Sequence, residues 1–184
     1  MKTYYTEDYK VEITLDDWAS SPREWDNLGT MLTWQRKYVS PDQNEYATPN
    51  DFIEWWSQNG EGGLMLPVYC LDHSNVSYST SDYRDGWDSG QVGFIYATAE
   101  TIANEGIDLE IAKRVLEGEV ENYSLYAQGE VYSINITQKS QCATCEHVEW
   151  EYVEGCGGFL GGIDPDYIPD ALLEEIKSDG LVRV

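Results

Sequence analysis

The sequence predicts a single α+β domain over residues 1–184, an antiparallel or mixed sheet of about five or six strands with two or three helices. Three observations point there. Short segments of strict apolar/polar alternation recur along the chain, longer segments carry helical spacing with start and stop residues, and glycine or Asx turns separate them. With 184 residues, 41% of them hydrophobic and 13% aromatic, the chain is large and apolar enough to bury a core of its own.

The elements follow in order. "YKVEITL" sets Tyr9, Val11, Ile13 and Leu15 on one face and Lys10, Glu12 and Thr14 on the other, the signature of a half-buried strand. "NLGTMLTW" (Asn27–Trp34) fits strand or helix. In "ATPNDFIEWWSQNG", Thr48 is a cap, Pro49 stands at the first helical position and Gly60 is the stop. "GGLMLPVYCL" reads as a buried strand in which Pro67 marks an edge or a bulge. "NVSYST" is placed to pair with it across the turn at Asp72, His73 and Ser74. "QVGFIYAT" is the next strand, Thr98 caps "AETIANEG", and Ile107 to Ala127 is the longest helical pattern. Its inner face is Ile107, Ile111 and Val115, or alternatively Ala112 and Leu116, continued by Val120, Tyr123 and Ala127. "EVYSINIT" alternates again. "HVEWEYVE" is expected to turn Val148, Trp150 and Tyr152 inward and Glu149, Glu151 and Glu154 outward. "IPDALLEEIKSDG" closes with a helix between Pro169 and Gly180.

Charge is the outlying property. Eleven Lys and Arg stand against 34 Asp and Glu, a net charge of −23. Solubility alone asks for a magnitude of about 2–8 in a small domain. A salt-adapted surface would trade bulky residues for Ala, Val and Thr, and the 14 Tyr and 7 Trp run against that. Such an excess opposes direct binding to nucleic acid or to anionic membranes, and its natural partner is basic. The N-terminal residues show no secretory pattern and no window is apolar enough to span a bilayer, so the expected compartment is the cytoplasm, with the four cysteines reduced.

Three constellations carry possible chemistry. Asp82, Asp85 and Asp88 recur at intervals of three in "SDYRDGWDSG", which misses the ligand spacing of a calcium loop and matches turn usage. "CATCEHVEWEYVEGC" offers Cys142, Cys145, His147 and Cys156, the residue types of a structural zinc site, although only the first pair has the usual spacing. Cys70 lies in an apolar strand and reads as core. The adjacent Asp72, His73 and Ser74 cannot converge as a triad, and no nucleophile elbow, phosphate loop or dinucleotide fingerprint is present. This inventory points away from an enzyme and from any cofactor other than zinc.

The blocks "WDNLGTM" (Trp25–Met31), "LPVYCLDHS" (Leu66–Ser74), "WDSGQVGFIYAT" (Trp87–Thr98), "EGEVENYSLYAQGEVYSI" (Glu117–Ile134) and "GCGGFLGG" (Gly155–Gly162) occur in order along most of the chain. Together they resemble an uncharacterised family of small acidic proteins encoded by bacteriophages and prophages. Gly157 departs from the pattern, which has an aromatic residue after Cys156. The resemblance implies a phage setting and action inside the bacterial host cell, and it implies no catalytic residues.

The leading expectation is a non-enzymatic inhibitor that imitates the charge of DNA or RNA and occupies a nucleic-acid-binding defence protein of the host. Its candidate contact residues are Asp108, Glu110, Glu117, Glu119 and Glu121 on the long helix and Glu149, Glu151 and Glu154 on a strand, with Trp55, Trp56 or Trp87 as aromatic anchors. The alternatives are a phage structural or assembly module, zinc-stapled through the cysteines, and a small enzyme with a carboxylate site.

Overall fold

A computed structural model describes residues 1–84, 88–141, 144–145 and 147–183. In chain order these form β1 (Lys2–Tyr5), β2 (Tyr9–Leu15), β3 (Thr30–Thr33), α1 (Pro49–Asn59), β4 (Leu64–Asp72), β5 (Val76–Ser79), β6 (Ser89–Ala97), α2 (Ala99–Asn104), α3 (Leu109–Ala127), β7 (Val131–Gln141), β8 (Val148–Leu160) and α4 (Asp170–Ser178). The class is α+β with antiparallel sheets. The strands divide into two four-stranded sheets rather than one sheet of five or six, and the chain packs as two compact units.

The first unit joins Met1–Ser20 to Gly129–Val184 and holds the sheet β1-β2-β7-β8. Strand β1, which the sequence reading had left out, pairs with β2 through Tyr4 opposite Val11. Val11 and Ile13 of β2 lie opposite Ile136 and Ile134 of β7. These four and Tyr4 bury one sheet face under Ile163, Ile168 and the apolar side of α4, where Leu172 and Ile176 stand one turn apart. No side chain caps α4 at its N-terminus. At its other end Asp179, the C-cap residue, accepts a 2.8 Å bond from the Tyr4 hydroxyl.

The second unit, Ser21–Gln128, holds the sheet β3-β6-β4-β5 and is packed on both faces. One face sets Met31, Val68, Cys70 and Ile95 against Ala112, Leu116 and Val120 of α3. This decides the inner face of the long helix: Ile111 and Val115 are partly exposed, and Ala112 and Leu116 are fully buried. Phe52 of α1 covers the other face, in ring contact with Phe94, Tyr96, Trp34, Tyr46, Trp55 and Trp56. Helix α1 begins as its sequence dictates, with a reciprocal capping box between Thr48 and Asp51 and Pro49 at the first position. Pro67 is tolerated in β4 because β5 pairs only Tyr69–Asp72, so Pro67 has a strand neighbour on one side alone.

Candidate functional site

The acids of α3 separate into two kinds. Glu110 and Glu121 are exposed, Glu117 is half-covered and 3.8 Å from Lys113, and Asp108 is the N-cap, accepting a 2.8 Å bond from the Ile111 amide. Glu119 requires a correction. Expected on the charged surface, it is the one buried carboxylate among the described residues. It accepts the amides of Leu28 and Gly29 and a 2.9 Å bond from Arg23, whose side chain is 4% exposed. Arg23 also bonds both oxygens of Asp42, at 3.0 and 2.7 Å, and Asp42 accepts the Met31 amide. Burial disfavours the guanidinium charge, but the bonds to Asp42 and Glu119 outweigh it and hold the group above its ordinary range.

This clasp explains the block "WDNLGTM". A side chain at Gly29 would meet Leu116, Ile95 and Glu119 itself, so the loop closes over the carboxylate only with glycine there. The signal was present in the sequence, since Glu119 falls on the apolar stripe of Ala112, Leu116 and Val120. A glutamate on that stripe needs a buried cation or amide partner.

The strand acids are brought together differently. In β8 the register steps past Val153, so Glu154 lies opposite Ile136 while Tyr152 lies opposite Thr137. Glu151 then faces Gln138 and Glu149 faces Ser140. By alternation, all three glutamates share the face of the sheet that carries Ile134 and Ile136, in a row at strand spacing. Val148, Trp150 and Tyr152 take the opposite face, where Trp150 meets Tyr5 at 6.1 Å between ring centroids. All three glutamates are exposed, as expected; on the opposite face Val148 and Tyr152 are exposed as well, and Trp150 is the half-buried side chain of that set. The bulge is the physical reason that Glu154 joins Glu149 and Glu151 despite its different parity.

The row borders two hollows. Glu149 and Glu151 line one of about 350 Å³ with Ser140, Cys145 and His147. Glu154 lines another of about 460 Å³, floored by Tyr9, Ile136, Val153 and Ile168 and rimmed by Asp166 and Asp170. Among the described residues no hydrogen bond or ion pair holds Glu151 or Glu154, and His147 lies 3.5 Å from Glu149.

The proposed zinc set does not assemble as expected. Cys142 lies outside the described residues. Cys145 and His147 sit at the hairpin end, whereas Cys156 is opposite Ile134 beside the core. The eight strand steps from Val148 to Cys156 span roughly 25 Å, far beyond a zinc–sulfur bond of about 2.3 Å. Among the described residues no three His, Cys, Asp or Glu side chains come together as a metal site. Asp85 and Trp87 also lie outside the described residues. Asp82 accepts the Arg84 amide, a local turn contact, and Asp88 lies 3.3 Å from His73 where the end of β4 meets the start of β6. Trp55 and Trp56 are engaged in the aromatic cluster on Phe52 rather than free as anchors, and among the described residues the most exposed tryptophan is Trp18, at 94%.

The sequence reading missed a cavity of about 530 Å³ in the second unit, between the segment after β3 (Trp34 to Tyr38) and β6 (Gln91 to Phe94). Asp72 lines it and is held by Lys37 at 2.9 and 3.0 Å and by the Tyr38 hydroxyl at 3.1 Å. The Lys37 bond, then that from Tyr38, keeps the Asp72 carboxyl below the usual carboxylate range. Asp72 is thus spent on Lys37, and His73 has no part in it.

Among the described residues no helix is long and apolar enough to cross a membrane. Comparison of the chain with protein families, curated proteins and solved structures finds no match.

Proposed function

We propose that this is a non-enzymatic binding protein that presents fixed carboxylates to a basic, nucleic-acid-binding host protein and competes with the nucleic acid for its groove. One observation carries the reading: Glu149, Glu151 and Glu154 stand in a row on one sheet face, continued by Asp166 and Asp170 around an apolar hollow. Carboxylates on a paired strand have their backbone positions fixed in a line, as phosphates are along a nucleic-acid backbone, which removes the backbone part of the ordering cost on binding. The net charge of −23 steers a basic partner from a distance, and the row supplies the contact. The apolar floor suits the methylene stems of arginine or lysine, with the charged ends on the acidic rim.

The test is affinity capture from bacterial lysate, followed by competition against the captured protein's own nucleic acid. A nucleic-acid-binding protein displaced from DNA or RNA by this chain at low salt, and less so at high salt, is the expected result. The triple variant Glu149→Gln, Glu151→Gln, Glu154→Gln should weaken displacement at least about tenfold, given charged contacts of about 1.5–3 kcal/mol each. Capture of no such protein, or displacement unchanged in the triple variant, overturns the reading.

A further inference from the structure

The cavity after β3 is chemically opposite to the rest of the molecule. The chain has about one basic residue for every three acids, yet two consecutive cations, Arg36 and Lys37, line this space with a single carboxylate. That carboxylate, Asp72, already has both oxygens on Lys37 and one on Tyr38. Among the described residues Arg36 makes no hydrogen bond or ion pair, so the cavity keeps one positive charge, that of a guanidinium fork, not matched by a described carboxylate. Flat aromatic side chains, Trp34, Tyr38 and Phe94, form much of the remaining wall, with Gln35 and Gln91 as polar groups among them.

Those walls are fixed. The Trp34 indole donates a 3.0 Å bond to the Tyr46 carbonyl and its ring packs on Phe52 and Phe94. The Lys37 ammonium lies 4.9 Å from the centre of the Tyr38 ring while Asp72 holds the Tyr38 hydroxyl, which pins that ring from two sides. A preformed cavity with aromatic walls, a few polar groups and a volume inside the range of about 300–1,000 Å³ has the properties of a small-molecule site.

We propose that this cavity binds a small flat anion, an aromatic body carrying a carboxylate or phosphate, with the anionic group on Arg36 and the ring against the aromatic walls. The site lies in the second unit and is independent of the acidic row on β8. Its ligand has the opposite charge to the partner proposed for that row.

The experiment is calorimetric titration of the full chain with the four nucleoside 5′-monophosphates and with benzoate, alongside inorganic phosphate and the uncharged nucleosides. The Trp34 indole N–H resonance reports where binding occurs. Saturable binding of at least one flat anion is expected, with a shift at Trp34 and an affinity about tenfold lower in Arg36→Gln. Arg36 is exposed, so that variant should keep the wild-type melting temperature. Absence of binding at millimolar ligand, or an affinity unchanged by Arg36→Gln, overturns the proposal. Inorganic phosphate binding as tightly as the nucleotides overturns the flat body, and uncharged nucleosides doing so overturns the anion.

Discussion

The two units each contain four antiparallel strands, in different order, and each holds two kinds of acid, seen most clearly in the clasp of the second unit and the strand row of the first. In the second unit many carboxylates are drawn into local structure. Asp51 and Asp108 cap helices, Asp42 and Glu119 hold Arg23, and Asp72 holds Lys37. In the first unit Glu151, Glu154 and Asp170 meet no hydrogen-bond or ion-pair partner among the described residues, and they stand on a strand and at a helix start. Excess charge is therefore two populations with different physics. Acids that satisfy a backbone amide or a buried cation stabilise the fold, and acids fixed by the backbone but left without partners are free to meet a basic molecule.

The sharpest way to break that contrast leaves the charge unchanged. The variant V148E/E149V/W150E/E151W keeps the net charge of −23 but moves two glutamates to the other sheet face. Displacement of nucleic acid from the captured partner should fall about as far as in the triple glutamine variant. Retained displacement would mean that total charge, rather than the row, is what matters.

Stability should respond in the opposite sense. Arg23→Ala leaves Asp42 and Glu119 without their cation in the second unit and should cost about 3–5 kcal/mol in denaturant unfolding. A cost near that of an exposed pair, about 0–1 kcal/mol, would remove the distinction between the two acid populations. In the first unit the comparable loss comes from apolar packing. Leu172→Ala on α4 should cost about 2–5 kcal/mol in the same measurement, while Glu151→Gln should change stability by no more than about 0.5 kcal/mol.

The smallest expected effect concerns Asp179. The bond from Tyr4, then the contact with Lys2, lowers its carboxyl below the ordinary range. Its contribution is therefore complete above the ordinary carboxylate range and is lost as pH falls through the lowered value. Tyr4→Phe should lower the melting temperature slightly at neutral pH, and the difference should shrink in acid. A difference that persists unchanged in acid would mean that Tyr4 acts through packing alone.

Some of this was readable from local chemistry. The Thr48 and Pro49 start of α1, the glycine stop after it, the alternation of β2 and the apolar spacing of α4 each depend on neighbours within a few residues. The α+β class and the apolar character of Cys70 follow from the same short-range patterns. Long-range partners were not readable. Glu119 and Arg23 are separated by 96 positions, and nothing near either residue names the other. Alternation in "HVEWEYVE" was visible, but which side shared the face of Ile134 and Ile136 depended on the bulge at Val153 and on pairing with β7.

The sequence by itself determined the type of most elements, the caps of α1 and α2 and the size of the charge excess, because propensity, capping and composition are local or additive quantities. Only the tertiary structure decided that there are two sheets, that Glu119 is a buried partner, that Cys156 lies far from Cys145, and that Arg36 faces a cavity without a counterion among the described residues. Each of these depends on strand register and on groups meeting across long stretches of chain. A one-residue step in register reverses a face, and the composition is unchanged by it.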